Sequence, residues 1–252
     1  MWQKIRISIL LVILLLVSSK TYLEQLDATD WMEPLKVVVY PINGDGSVVT
    51  ERYITLLEDA SFKDIETFIQ SQARRYEIDR GLPVKVTLAP KLTNIPPQHA
   101  EDEGVLGIIT YSLKLRLWAW MNGKEKADIS MFVAYFDPET NGSVPSSLAL
   151  QKGMLGVVYA YADSAYEGSN SVVIAHEMLH TVGATDKYSL ETNMPLYPSG
   201  YANPYSKNRY PQLKAELMGG QVPFAENDAY MPDSLDIVVI GPQTAAEIKW
   251  IN

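Results

Sequence analysis

Apolar and polar positions change period several times along the chain, and the changes divide it into elements. An apolar run broken only by Ser8 fills residues 7–17, behind Lys4 and Arg6. Past a polar spacer at 20–33, the β-branched run LKVVVYPI at 35–42 predicts a buried strand. The NGDG that follows at 43–46 predicts a turn into a second extended piece around Val48 and Val49. From 61 to 78 the period lengthens: Phe62, Ile65, Phe68, Ile69 and Tyr76 share one face of a helix that Ser61 caps and Gly81 ends. VKVTLAP at 84–90 predicts another strand, and the polar loop after it holds His99, read as a surface residue. Leu106, Ile109, Leu113, Leu117 and Trp120 then stripe a helix over 104–121, which predicts core packing and which Asn122-Gly123 closes.

ISMFVAYF at 129–136 and MLGVVYAYA at 154–162 predict two more strands, on either side of a loop at 137–153 rich in turn residues. SVVIA at 171–175 reads as the start of a buried helix capped by Asn170 or Ser171, with Met178, Leu179 and Val182 continuing its apolar stripe. From 187 to 211 aliphatic residues thin out. Tyr188, Tyr197, Tyr201, Tyr205 and Tyr210 alternate there with Pro195, Pro198, Pro204 and Pro211, predicting stiff loops suited to the wall of a cleft. A short helix is expected from Pro211 through Leu217, then an extended piece in LDIVVIG and a last helical turn in TAAEIKWI. Strands interleaved with helices, followed by an irregular end, give an α/β (α+β) class.

Composition adds three constraints. With 252 residues and 47% hydrophobic content, the chain can bury a core of ordinary size. It has no cysteine, so no disulfide staples it and no thiolate can bind a metal, which leaves imidazole and carboxylate. A basic start followed by a short apolar run makes residues 1–19 an expected signal peptide or N-terminal membrane anchor, with the rest exported to the periplasm or the extracellular space. Net charge is -9, falling to -11 without Lys4 and Arg6, and no basic cluster offsets it, which argues against a nucleic-acid partner.

The candidate chemistry lies in HEMLHTVGATD at 176–186. His176 and His180 stand four residues apart, on one side of a helix, where both imidazoles can reach one ion. Gly183 sits where the chain must leave the helix and turn back, and Asp186 can then supply a third ligand. Two imidazoles, one carboxylate and an open fourth position suit a catalytic Zn²⁺. Glu177 stands beside the metal without being a ligand, placed as a general base for a metal-activated water attacking a peptide carbonyl.

This stretch resembles the signature of the metzincin clan of zinc endopeptidases, HExxHxxGxx followed by His or Asp, in its minority form with Asp as in snapalysin-type proteases. The resemblance implies a zincin fold: a twisted mixed sheet and long helices above a cleft, and an irregular lower part with a methionine in a tight turn. Met218, in AELMGG, is similar to that methionine, with Gly219 and Gly220 permitting the turn. It further implies a single metallopeptidase domain over 34–252, divided into an upper part at 34–183 and a lower part at 184–252. The strand at 154–162 would line the cleft, its edge free to pair with a peptide or protein substrate.

Two other readings compete. A gluzincin-like peptidase would take its third ligand from a later glutamate, Glu216 or Glu191. A non-catalytic exported metal-binding envelope protein would need no base at Glu177 and would normally hold its metal with four protein ligands.

Overall fold

The computed structural model describes residues 30–78, 81–98, 104–151 and 153–251. Strand β1 (Leu35–Asn43) leads through the Asn43–Gly46 turn into α1 (Val48–Leu56), where an extended piece was expected. Val48 and Val49 are β-branched, but Ser47 accepts a hydrogen bond from the Thr50 amide, and this cap starts a helix that propensity alone disfavours. A 3₁₀ turn (Asp59–Phe62) precedes α2 (Lys63–Arg75), and Ser61 serves that turn, its hydroxyl accepting from the Glu58 amide, rather than capping the α-helix. Next come β2 (Val84–Leu88), α3 (Gly104–Asn122) and β3 (Ile129–Phe136).

Inside the expected loop at 137–153 lies a short strand, β4 (Leu148–Leu150), that the sequence did not announce. It precedes β5 (Leu155–Tyr161) and the metal-motif helix α4 (Glu167–Thr181). That helix begins earlier than its apolar run. Asp163 caps the 3₁₀ turn that leads into it, while Asn170, expected as a cap, instead binds both the amide and the carbonyl of Tyr161 in β5.

Beyond α4 come β6 (Ala215–Glu216), β7 (Val222–Ala225), β8 (Asp228–Tyr230), β9 (Val238–Val239) and α5 (Pro242–Glu247). The helix expected from Pro211 is absent. Ala215 and Glu216 are extended and pair with Val238 and Val239, and a 3₁₀ turn (Leu217–Gly219) follows.

The main sheet has the order β2-β1-β3-β5-β4, with β4 alone antiparallel. Strand residues alternate between two cores. Val37, Val39, Met131 and Val133 face α1, α2 and α4, whereas Val38, Tyr40, Phe132 and Val157 face α3. Burial on both sides explains why these strands read as continuous apolar runs. At one edge the β2 amides of Val86 and Leu88 donate to Glu66 and Asp59, which blunts that edge. At the other edge β4 has no further strand paired to it among the described residues.

The α3 stripe is corrected by the structure. Tyr111, Leu115 and Ala119 pack on the sheet, whereas Leu113 is 60% and Trp120 79% exposed, with Ile109 and Leu117 also more than half exposed. The expectation of a membrane anchor is corrected as well: among the described residues no helix is long and apolar enough to cross a membrane. Residues 1–19, on which that expectation rested, and His99 lie outside the described residues.

Candidate metal centre

Helix α4 packs Val172, Ile174, Ala175, Met178 and Leu179 into the core, which fixes its rotation and turns His176 and His180 to one side. Gly183 ends it at φ +111°, a left-handed conformation open to glycine, and the Ala184 amide closes the turn on the Leu179 carbonyl. The chain then doubles back. Asp186 arrives opposite both rings.

His176 Nδ1 lies 2.9 Å from the Leu217 carbonyl and His180 Nδ1 2.8 Å from the Ala184 carbonyl. A carbonyl only accepts, so each Nδ1 carries the proton and each Nε2 presents a lone pair. Those two Nε2 atoms are 3.1 Å apart, and each is 3.1 Å from Asp186 Oδ1. Three acceptors thus form a triangle, and a cation satisfies all three at once. Donors around a tetrahedral ion bound at about 2.0–2.1 Å stand about 3.3 Å apart, close to the spacing found here. The His176, His180 and Asp186 cluster is a candidate metal-binding site, with the imidazoles half-buried and the carboxylate more exposed.

Its electrostatics follow from this convergence. Burial disfavours an ionised Asp186, but without a metal, imidazoles protonated at Nε2 donate to it and hold its carboxyl well below the usual carboxylate range. Burial likewise disfavours a charged His180, and the Asp186 and Glu177 carboxylates outweigh it and raise its pKa. Glu177 is 5% exposed, and burial pushes its pKa up against the pull of both histidines. Its Oε2 has no hydrogen-bond partner among the described residues. Glu177 and His176 line a cleft of about 310 Å³ whose other walls include Val173, Tyr159, Leu217 and Met231.

Met218 is fully buried in the 3₁₀ turn Leu217–Gly219. Its neighbour Leu217 supplies the carbonyl that orients His176, and its own carbonyl accepts from the Lys187 amide. A Cβ on Gly219 would collide with the Gly200 carbonyl, so a side chain there would push the turn and the Gly200 loop apart. Glu216, the rival ligand, points elsewhere. It is fully buried, and its carboxylate accepts from the Gly219 amide, the Gly241 amide and the Thr244 hydroxyl. Glu191 is exposed and outside the cluster.

Two contributors were not foreseen. Glu247, in α5, accepts from the Thr185 amide and hydroxyl and from Lys187 Nζ at 2.7–2.9 Å, gripping both neighbours of Asp186. Lys187 is almost wholly buried. No local spacing announces a pair so distant in the chain. Of the five tyrosines at 188–210, Tyr188 alone lines the cleft, and burial, with the nearby Asp186 and Glu177 charges, pushes its pKa up to about 12. Tyr197, Tyr201 and Tyr210 instead surround the Arg209 guanidinium, so they are loop packing rather than cleft wall.

Fold and site together define a mixed α/β protein with a candidate metal-binding cluster. No family model matches the chain, and no curated protein matches it. A solved structure described as "Structure of a chaperone-substrate complex" is similar over 85% of this chain at 15% identity, with a TM-score of 0.43. The chain spans about a third of the length of that structure's chain, 33%.

Proposed function

We propose that this protein is a zinc-dependent endopeptidase of the metzincin type. The observation that carries the reading is the triangle of His176 Nε2, His180 Nε2 and Asp186 Oδ1, with both Nδ1 atoms already committed to backbone carbonyls. Orientation of a ligand imidazole through its second nitrogen is the usual support of a metal site. Zinc held there supplies a Lewis acid that polarises a peptide carbonyl and lowers the pKa of water.

The remaining work falls to side chains. Glu177, desolvated at the cleft floor, takes a proton from the attacking water and returns it to the departing amine; its raised affinity for the proton suits that exchange. Tyr188 stands at the cleft wall and donates to the oxygen that gains charge as the carbonyl is attacked. An extended substrate pairs with the open edge of β4, since β5, the strand first expected to offer that edge, is covered by β4 itself. Residues 34–183 then form the upper wall and 184–252 the lower, with Gly183 at the crossing and Met218 below the ligands. The gluzincin alternative loses support, because each Glu216 oxygen already accepts hydrogen bonds from buried donors.

The test is hydrolysis of casein by the purified chain alongside its zinc content. Activity is expected to vanish with chelator and return with zinc, and Glu177→Gln is expected to bind zinc but cleave at least about 100-fold more slowly. Cleavage that survives both treatments would falsify the assignment, and zinc bound by an inactive wild type would leave a metal-binding protein without peptidase activity.

A further inference from the structure

Building on the zinc reading of the cluster, we propose that Trp31 is a positioning residue for it, holding α5 so that Glu247 braces the chain on both sides of Asp186. Trp31 is buried, and its indole N–H donates to the Ile248 carbonyl at 2.7 Å, across 217 residues of sequence. Its ring meets that of Trp250 edge to face, with centroids 5.5 Å apart. Trp31 also stands at φ +53°, a conformation that a bulky residue keeps only where its surroundings impose it.

Helix α5 has six residues, well short of the roughly 12–15 at which an isolated helix becomes even marginally stable, so its contacts with the rest of the chain decide where it lies. Glu216 holds its start, accepting from the Gly241 amide and the Thr244 hydroxyl. At its other end the last carbonyls have no partner within the helix, and Trp31 satisfies that of Ile248, the C-cap. Glu247 stands one residue before that carbonyl. Its side chain grips Thr185 and Lys187, and its own carbonyl oxygen lies 3.4 Å from where a Cβ on Gly183 would stand. A shift at Ile248 is therefore passed to the Gly183 turn and to both neighbours of Asp186. Trp250 supplies the contrast. It is as deeply buried as Trp31, but its Nε1 has no hydrogen-bond partner among the described residues, so its ring packs without tethering the helix end.

Hydrogen exchange at the Thr185 amide, which donates to Glu247, reads the brace in the metal-free, full-length protein. Trp31→Phe keeps a ring but strands the Ile248 carbonyl, and is expected to speed that exchange at least about 10-fold. Trp250→Phe makes the same change of ring without losing a hydrogen bond, and is expected to alter it less than about 2-fold. Zinc affinity gives a second readout. Trp31→Phe alone is expected to weaken it about 5-fold, but less than about 2-fold further when Glu247→Gln is already present, because both changes act through one route. The proposal is overturned if Trp31→Phe leaves Thr185 exchange unchanged, if Trp250→Phe speeds it as much, or if the two effects on zinc multiply. Should Trp31→Phe fail to fold, the wild type decides. Its Trp31 indole N–H and Thr185 amide are expected to open together, with protection factors agreeing within about 3-fold, and an indole that exchanges freely while Thr185 stays protected overturns the proposal. A wild type that binds no zinc would sink the zinc reading alone, since the exchange measurements judge Trp31 without it.

Discussion

His176 and His180 differ from surface histidines in having one ring nitrogen fixed by a backbone carbonyl, which leaves the other nitrogen with a lone pair to offer a metal ion. The His-x-x-x-His spacing and Gly183 were legible because helix geometry and a positive φ are local properties. Glu216 and Glu247 were not. Their partners lie 25 and 62 residues away for Gly241 and Thr185, and no periodicity encodes a contact of that range. Because Glu247 grips Thr185 and Lys187, Glu247→Gln is expected to weaken zinc binding by about 10-fold, as a change in the support behind a ligand does. Competition with a chromophoric chelator measures it, and an unchanged affinity would show that Asp186 is held without the grip. Glu216→Ala should leave zinc binding nearly intact per folded molecule while costing about 3 kcal/mol of stability in urea denaturation, since it strands buried donors. Zinc binding lost with the fold preserved would instead return Glu216 to the ligand set.

Among the elements, those whose two faces differ in neither polarity nor length misled most. Helix α3 is apolar at Ile108, Ile109, Tyr111, Leu113, Leu115, Leu117 and Trp118, almost all the way round, so its period revealed a helix without revealing which side is inside. Strand β4 holds three residues and pairs only through β5, too short for any alternation to show. The four longer strands of the main sheet, β1, β2, β3 and β5, were read correctly because their burial leaves β-branched apolar runs. At the end of α4, Gly183→Ala meets both a left-handed φ and the Gln151 amide nitrogen 3.0 Å from the new Cβ. A loss of about 1–2 kcal/mol is expected, read as a lower Tm by calorimetry, together with weaker zinc binding because the chain can no longer double back to Asp186 at the same angle. Equal stability would mean that the turn tolerates a side chain.

At the scale of the whole molecule, the cluster joins a helix of the main α/β layer to loops of the lower part, so a bound ion favours the folded chain over the unfolded one. Zinc at 100 times its dissociation constant is expected to add about 2.7 kcal/mol, and Tm should climb with zinc concentration and fall back on chelation. A Tm indifferent to zinc would deny that the folded chain binds it. The grip of Glu247 on the residues beside Asp186 has a further consequence for the order in which the protein becomes competent. The first member of the candidate cluster is His176, but Glu247, which steadies the chain on both sides of Asp186, lies about seventy residues later in translation. A chain emerging from the ribosome therefore carries a cluster of His176, His180 and Asp186 that lacks its brace until residue 247 has left the exit tunnel.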